Sequence, residues 1–436
     1  MLRLADLREI LRYVPQYRDK TFVIALDGAL VETDNFRNLL LDFTLLRSLR
    51  IGVVLVHGAG LQVARLAEQT GSNASNIDGT GITDASTLQI ALTAANRVSH
   101  EILEGLSATD LRGACTNAVV AHPAGILSGV DQQWTGRVER IDIPLLSALL
   151  GNDIIPVVPP LGCDGEGFTY RLNSDAVAME VAKALGAAKL IYLTTVPGIM
   201  VRWNDRDEPV LQRHLSVDEG ELLMKRLAKG EIKEMLEPGP SKLANAVRAL
   251  RGGVPRVHII DGRVEEGLLG EVFSNEGIGT LVHLNEYQAI RRALKKDTRG
   301  IFTLIRGAVE NDELLPRTLG EIERTLSDYY VFDIDGSLAG CIALHQYPDL
   351  GKAEMACVCV SPKFENQGIG VRLMNFIEGQ ARQFGIKTLF CLSTQAINYF
   401  LQKGGFQIGA PDDLPPTRRQ RYDASGRKSK VLIKAL

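Results

Sequence analysis

No Cys-x-x-Cys pair and no tight cysteine framework occurs in this chain. Its six cysteines, Cys115, Cys163, Cys341, Cys357, Cys359 and Cys391, are scattered, which favours free buried thiols over disulfides or zinc. No structural metal is expected. No apolar run approaches the roughly 18–20 residues of a membrane span, so no membrane partner is expected either. The opening MLRLADLREILRYVPQYRDK carries charge throughout an amphipathic pattern and lacks the continuous apolar core and small-residue cleavage site of a secretory leader. A cytoplasmic location is the resulting expectation. A strong charge of one sign is missing as well: the formal net charge is −3, which gives nucleic acid no global attraction. The one basic cluster is RRQRYDASGRKSK near the end. Repeats and low-complexity segments are absent.

What is present is an ordinary globular composition in a long chain. With 45% hydrophobic and 23% charged residues over 436 positions, two or three domains are expected. The first two-thirds alternates β-branched runs with helical patterns: TFVIAL, FRNLLLDFTLLRSLR, IGVVLV, LQVARLAEQTG, then DIIPVV, SDAVAMEVAKALG, KLIYLT, KLANAVRALRGG and RVHII. Such alternation predicts right-handed βαβ units around an open, mainly parallel sheet flanked by helices. The pattern changes after GIGTLVHLNEY. A second α/β unit follows, with a hairpin YYVFDIDGSLAGCIALHQY turning at Asp335-Gly336, a strand AEMACVCV, a helix from Gly370, a strand TLFCLS and a helix INYFLQKGG. Domains at 1–284 and 288–436, joined by a linker at 285–287, are the expected organisation.

VLVHGAG (54–60) sets a glycine-rich turn between strand and helix, where backbone N–H groups and the helix dipole favour an anion; glycine there also serves as simple steric relief. RLNSDAVAMEVAKALGA brings Asn173 and Asp175 to the mouth of another helix, and GPSKLANAVRAL places Lys242 at a helix start. In this order the segments resemble the amino acid kinase family, most closely its acetylglutamate kinases, over roughly residues 20–283. Kinases of that family carry a strand lysine that neutralises the transferring phosphoryl group. Here Ala25 holds that position, Asp27 replaces the second glycine, and Gly81 stands where an arginine grips the substrate carboxylate. The resemblance therefore implies a domain that no longer transfers phosphate.

EMACVCVSPKFENQGIGVRLMNFIEGQA reads as strand, Gly-x-Gly loop and helix, an arrangement that points several N–H groups at one anion. With the order of strands around it, this region resembles the GNAT acetyltransferase family over 288–436. That resemblance implies acetyl-CoA as co-substrate, held by Val358, Cys359, Val360, Asn366, Gln367, Gly368, Ile369, Gly370 and Asn398. One departure is Glu365, where the family has Arg or Gln. Transfer to an amine needs a base and a donor for the leaving thiolate. Glu354, at the start of a splayed strand, is the candidate base. The family's thiolate tyrosine corresponds to Leu401, so Ser393 is taken as the donor, with Tyr399 as the alternative. Cys357 and Cys359 read as packing rather than as nucleophiles, having no histidine in local sequence to activate them.

A degenerate acetylglutamate kinase-like domain fused to a GNAT domain resembles the N-acetylglutamate synthase family. The resemblance implies L-glutamate as acceptor, with Arg317, Cys357, Arg427 and Lys430 around it; arginine offers a bidentate fork to carboxylates. It also implies feedback inhibition by L-arginine at Tyr13, His258, Glu271 and Gly277, and a homo-oligomer, a hexamer. Two other readings stand beside it: an acetylglutamate kinase or bifunctional synthase/kinase, and a non-catalytic amino acid sensor.

Overall fold

The computed structural model describes residues 15–205, 208–273, 277–284, 290–311, 314–334, 337–364, 368–424, 426 and 429–436. The chain divides into two compact units, Met1–Leu284 and Asn285–Leu436. The linker expected at 285–287 and the Asp335-Gly336 turn lie outside the described residues.

Among the described residues the main sheet of the first unit has eight strands: β1 (Thr21–Leu26), β2 (Gly52–His57), β3 (Arg112–Cys115), β4 (Ile154–Val158), β5 (Lys189–Thr194), β6 (His214–Ser216), β7 (Arg256–Asp261) and β8 (Thr280–His283). Their order across the sheet is β6-β8-β7-β5-β1-β2-β4-β3. Every pairing is parallel except β7 with β8. The apolar runs are continuous because both faces are covered. In β1, Phe22, Ile24 and Leu26 belong to one core and Val23 and Ala25 to the other, the period-2 alternation of a strand between two helical layers. Helices α1 (Phe36–Ser48), α2 (Gly60–Gln69) and α3 (Ala85–Ala108) supply the first core. Helices α4 (Ser174–Ala184) and α5 (Gly239–Arg251) supply the second. The short α6 (Gly267–Phe273) follows β7.

Among the described residues the second unit has seven strands: β9 (Ile290–Arg292), β10 (Tyr329–Ile334), β11 (Ser337–Tyr347), β12 (Lys352–Val360), β13 (Thr388–Ser393), β14 (Gln407–Ile408) and β15 (Lys430–Ala435), ordered β9-β10-β11-β12-β13-β15-β14. Only β12 and β13 are parallel, and their pairing covers just Lys352–Glu354 against Thr388–Phe390. Beyond Glu354 the two strands no longer pair. The helices are α7 (Thr298–Glu310), α8 (Leu319–Arg324), α9 (Ile369–Gln383), α10 (Ile397–Gln402) and α11 (Pro416–Ala424). Cys357 has φ of 51° in mid-strand, and the β11–β12 register shifts between Cys341 and Ala343. This bulge changes the parity of β12. Ala353 and Met355 pack in the α9 core, yet Cys357 and Cys359 both join the opposite core with Ile301 and Ile305 of α7. A bulge that re-aims side chains beside an opened strand pair is a frequent device at functional sites.

Candidate active site

The opened end of β12 borders a cavity of about 780 Å³, lined among others by Arg317, His345, Glu354, Cys357, Thr394 and Arg418. Glu354 is held by two bonds from Arg418 on α11, Nε to Oε2 at 2.7 Å and Nη2 to Oε1 at 2.9 Å. Side-chain exposure is 8% for Glu354 and 16% for Arg418, so the pair is largely shielded from screening by water. Burial pushes the Arg418 guanidinium down, but the Glu354 bond and charge outweigh it and the group stays above its ordinary value. Across the cavity Arg317 donates to the Tyr329 hydroxyl at 3.1 Å. Burial is again opposed, here by Cys357, Tyr329 and Glu354, and the net direction is upward. The Glu354 carboxylate therefore shares the cavity with the bonded guanidinium groups of Arg317 and Arg418; Arg324, Arg421, Glu321 and Asp328 also line it.

Cys357 is buried, and burial pushes its thiol up to about 11, which leaves little thiolate for nucleophilic attack. Ser393 is buried at the end of β13, where its Oγ accepts the Ala396 N–H at 3.0 Å. Its neighbours Leu392 and Thr394 line the cavity there, and the Thr394 Oγ1 has no hydrogen-bond partner among the described residues.

The Gly-x-Gly loop enters α9 through Gly368, left-handed at φ of 75° and exposed, a conformation glycine adopts without strain. A Cβ on Gly370 would lie 2.5 Å from the Tyr399 hydroxyl. The absence of that Cβ lets Tyr399 rest against the first turn of α9. Cys359 and Ile369 are buried, Val358 and Val360 half-buried, and Asn398 exposed. Lys430 is exposed and pairs with Ser393 across β15. Asn366, Gln367 and Arg427 lie outside the described residues.

In the first unit a cavity of about 560 Å³ lies at the glycine-rich turns. Lys242, 1% exposed, donates to Asp27 and to Asp175 at 2.8 Å each. Burial alone would push its ammonium down; the two carboxylates reverse this and hold it well above its ordinary value. Asp27 thus occupies the one lysine left in the site. Among the described residues the lining sets Asp27, Asp78, Asp175 and Glu237 against Lys242 and Arg171. Burial together with Asp78 and Asp175 pushes Glu237 up, a sign of crowded negative charge. A polyphosphate entering here meets repulsion. Restoring the first-strand lysine and second glycine (Ala25→Lys with Asp27→Gly) is expected to give no phosphoryl transfer from ATP to acetylglutamate, because Gly81 still leaves the substrate carboxylate without a cation. Labelled phosphate appearing on acetylglutamate would contradict this.

His258 and Glu271 meet at 2.8 Å between Nδ1 and Oε1, with the Lys189 ammonium 3.1 Å from His258 Nε2. Glu271 Oε2 accepts the N–H groups of Ile278 (2.7 Å) and Gly279 (3.2 Å). Burial pushes its carboxyl up, but His258 and the two amides hold it below the usual range. Gly277 is close by: a Cβ there would sit 3.3 Å from Glu271 Oε1. Three donors fill most of the carboxylate's acceptor positions, so a bidentate guanidinium would have to displace some of them. Tyr13 lies outside the described residues.

Residues 20–261 match the amino acid kinase family and residues 288–406 the acetyltransferase (GNAT) family. The amino-acid acetyltransferase of Ralstonia nicotianae is 36% identical over 99% of this chain and 94% of its own length. That of Neisseria meningitidis serogroup B is 34% identical over 100% and 98%. The chain belongs to the amino-acid acetyltransferase family. Among solved structures, the N-acetylglutamate synthase of Neisseria gonorrhoeae complexed with coenzyme A and L-arginine matches with a TM-score of 0.80 and 32% identity, covering 100% of both chains. Its complex with coenzyme A and N-acetyl-glutamate matches with a TM-score of 0.62 and 34% identity, again over 100% of both. The expected kinase-like plus GNAT architecture is borne out.

Sequence reasoning missed Arg418, Thr394 and His345 as cavity residues. Arg418 stands inside the basic cluster, but nothing in RRQRYDASGRKSK distinguishes it from its neighbours until α11 forms. Among the described residues no group of three or more His, Cys, Asp and Glu side chains gathers as a metal site, and no helix is long and apolar enough to cross a membrane.

Proposed function

We propose that this chain transfers the acetyl group of acetyl-CoA to the α-amine of L-glutamate, that L-arginine inhibits it, and that it works as a homo-oligomer. The carrying observation is the cavity at the parted strands, which sets a carboxylate beside two guanidinium groups. Glutamate at neutral pH is an ammonium with two carboxylates. Arg317 and Arg418 match the carboxylates, and Glu354 matches the amine. The free amine attacks the thioester carbonyl, the tetrahedral intermediate expels the thiolate, and of the two protons the nitrogen loses one ends on sulfur. Glu354 takes the first, directly or through water; Ser393 or Tyr399 assists the sulfur, with Arg427 and Lys430 assigned to the substrate. The loop at 366–370 and the start of α9 hold the CoA pyrophosphate through backbone N–H groups.

Release of free thiol from acetyl-CoA, recorded with a panel of amino acids and with N-acetylglutamate identified by mass, tests this. Glutamate-dependent thiol release is expected. Thiol release with another amino acid and none with glutamate, or ATP-dependent phosphorylation alone, would overturn it.

For regulation, Tyr13, His258, Glu271 and Gly277 are assigned to arginine, with Glu271 as the anion for its guanidinium. Glu271→Gln keeps the side chain's shape and removes its charge, so arginine inhibition should require about tenfold more arginine or worse, with most uninhibited activity remaining. Inhibition curves that superimpose on the parent's would place the effector elsewhere.

A further inference from the structure

Acetylation of an ammonium releases one net proton: the nitrogen loses two, the departing sulfur keeps one, and the other has to leave the cavity. Glu354 is poorly equipped to export it. Both of its oxygens are already held by Arg418, so a proton placed on either one competes with a bond of the two-point pair. A second proton acceptor in the same cavity would remove this difficulty.

We infer that His345, held by Asp328, is that acceptor and carries the surplus proton from the cavity to solvent; the role rests on the acetyl-transfer reading above. His345 lies on β11 directly opposite Glu354 on β12, and opposed residues of an antiparallel pair share a face with Cβ atoms about 4.5–5.5 Å apart. Both residues line the cavity. His345 Nδ1 lies 2.8 Å from Asp328 Oδ2. A carboxylate can only accept, so Nδ1 carries the hydrogen and neutral His345 keeps its lone pair on Nε2. Nε2 has no hydrogen-bond partner among the described residues. The ring is fixed on a further side by Tyr329, edge-on at 6.3 Å between centroids, and that tyrosine receives Arg317. A partly exposed imidazole (18%) backed by a carboxylate, with one lone pair unspent, suits proton exchange between an active-site cavity and water.

The proton balance closes. The proton leaving nitrogen passes to Glu354, directly or through water, then to His345 Nε2, forming an imidazolium whose charge faces Asp328. Release from Nε2 to solvent restores the neutral ring. No oxidant, reductant or additional reactant is consumed.

His345→Ala and His345→Gln are to be compared with the parent protein in the glutamate-dependent thiol-release assay, with and without added imidazole. Turnover is expected to fall about 10–100-fold in both variants, with the acetyl-CoA KM nearly unchanged. Imidazole should restore the Ala variant in proportion to its concentration, because it can occupy the vacated space. It should do little for the Gln variant, where that space is filled, and nothing for the parent. A His345→Ala protein with parental turnover, or a slowed one that imidazole leaves unchanged, would overturn the role of His345 while leaving the transferase reading intact. A parent protein that releases no thiol with glutamate would overturn that reading itself, and the proton route with it.

Discussion

Glu354→Gln should lower glutamate turnover about 10²–10⁴-fold, the usual loss when a positioned base is removed, with little change in acetyl-CoA affinity. The amide retains the shape of the side chain and one acceptor for Arg418, so folding should survive. What disappears is the site that takes a proton from the ammonium. The deficit should shrink as pH rises, because free amine then reaches the cavity without help. Steady-state kinetics from neutral to alkaline pH would check both parts, and a parental rate at neutral pH would remove Glu354 from the chemistry.

Arg418→Gln should be nearly as damaging, through a different term. It removes a two-point cation from a buried carboxylate, and cutting one partner from such a pair costs about 2–5 kcal/mol. The glutamate kcat/KM should fall at least about 10²-fold, because a carboxylate of the substrate loses its partner. The melting temperature should fall as well, since Glu354 is left with uncompensated charge. The double variant, Glu354→Gln with Arg418→Gln, separates the two effects. It should recover much of the stability and none of the activity. Activity in the double variant equal to that of Glu354→Gln alone would mean that Arg418 serves only to neutralise Glu354.

These two residues also mark the limit of what could be read before the fold was known. The alternating runs from TFVIAL to RVHII predicted the sheet of the first unit because each strand is buried on both faces, which leaves an unbroken apolar signal. Ala25, Asp27 and Gly81 were legible as departures because a resembling family fixes what each position should hold. The consequence of Asp27 was not: its capture of Lys242 joins residues 215 apart in the chain. Glu354 was recognisable from its place on a strand before a Gly-x-Gly helix. Arg418, 64 residues further on, has no spacing relation to it, and His345 faces it only through strand register. The bulge at Cys357 was equally hidden. A positive φ at a non-glycine residue is imposed by tertiary packing rather than by local preference. Ser393 was chosen for its place at a strand end, with Tyr399 as the alternative; the next residue, Thr394, lines the cavity, and a one-residue change of side is not readable from strand position alone.

The central claim is that acetyl transfer to glutamate takes place where β12 and β13 part, and not in the kinase-like unit. A crystal structure of the Glu354→Gln protein with acetyl-CoA and L-glutamate tests it most directly, since the slowed variant can hold both substrates together. The expected result has the glutamate amine within hydrogen-bond reach of residue 354, its carboxylates on Arg317 and Arg418, and the CoA pyrophosphate at the first turn of α9. Glutamate bound instead between the glycine-rich turns around Asp27 and Lys242, with the cavity at Glu354 holding none, would contradict the account.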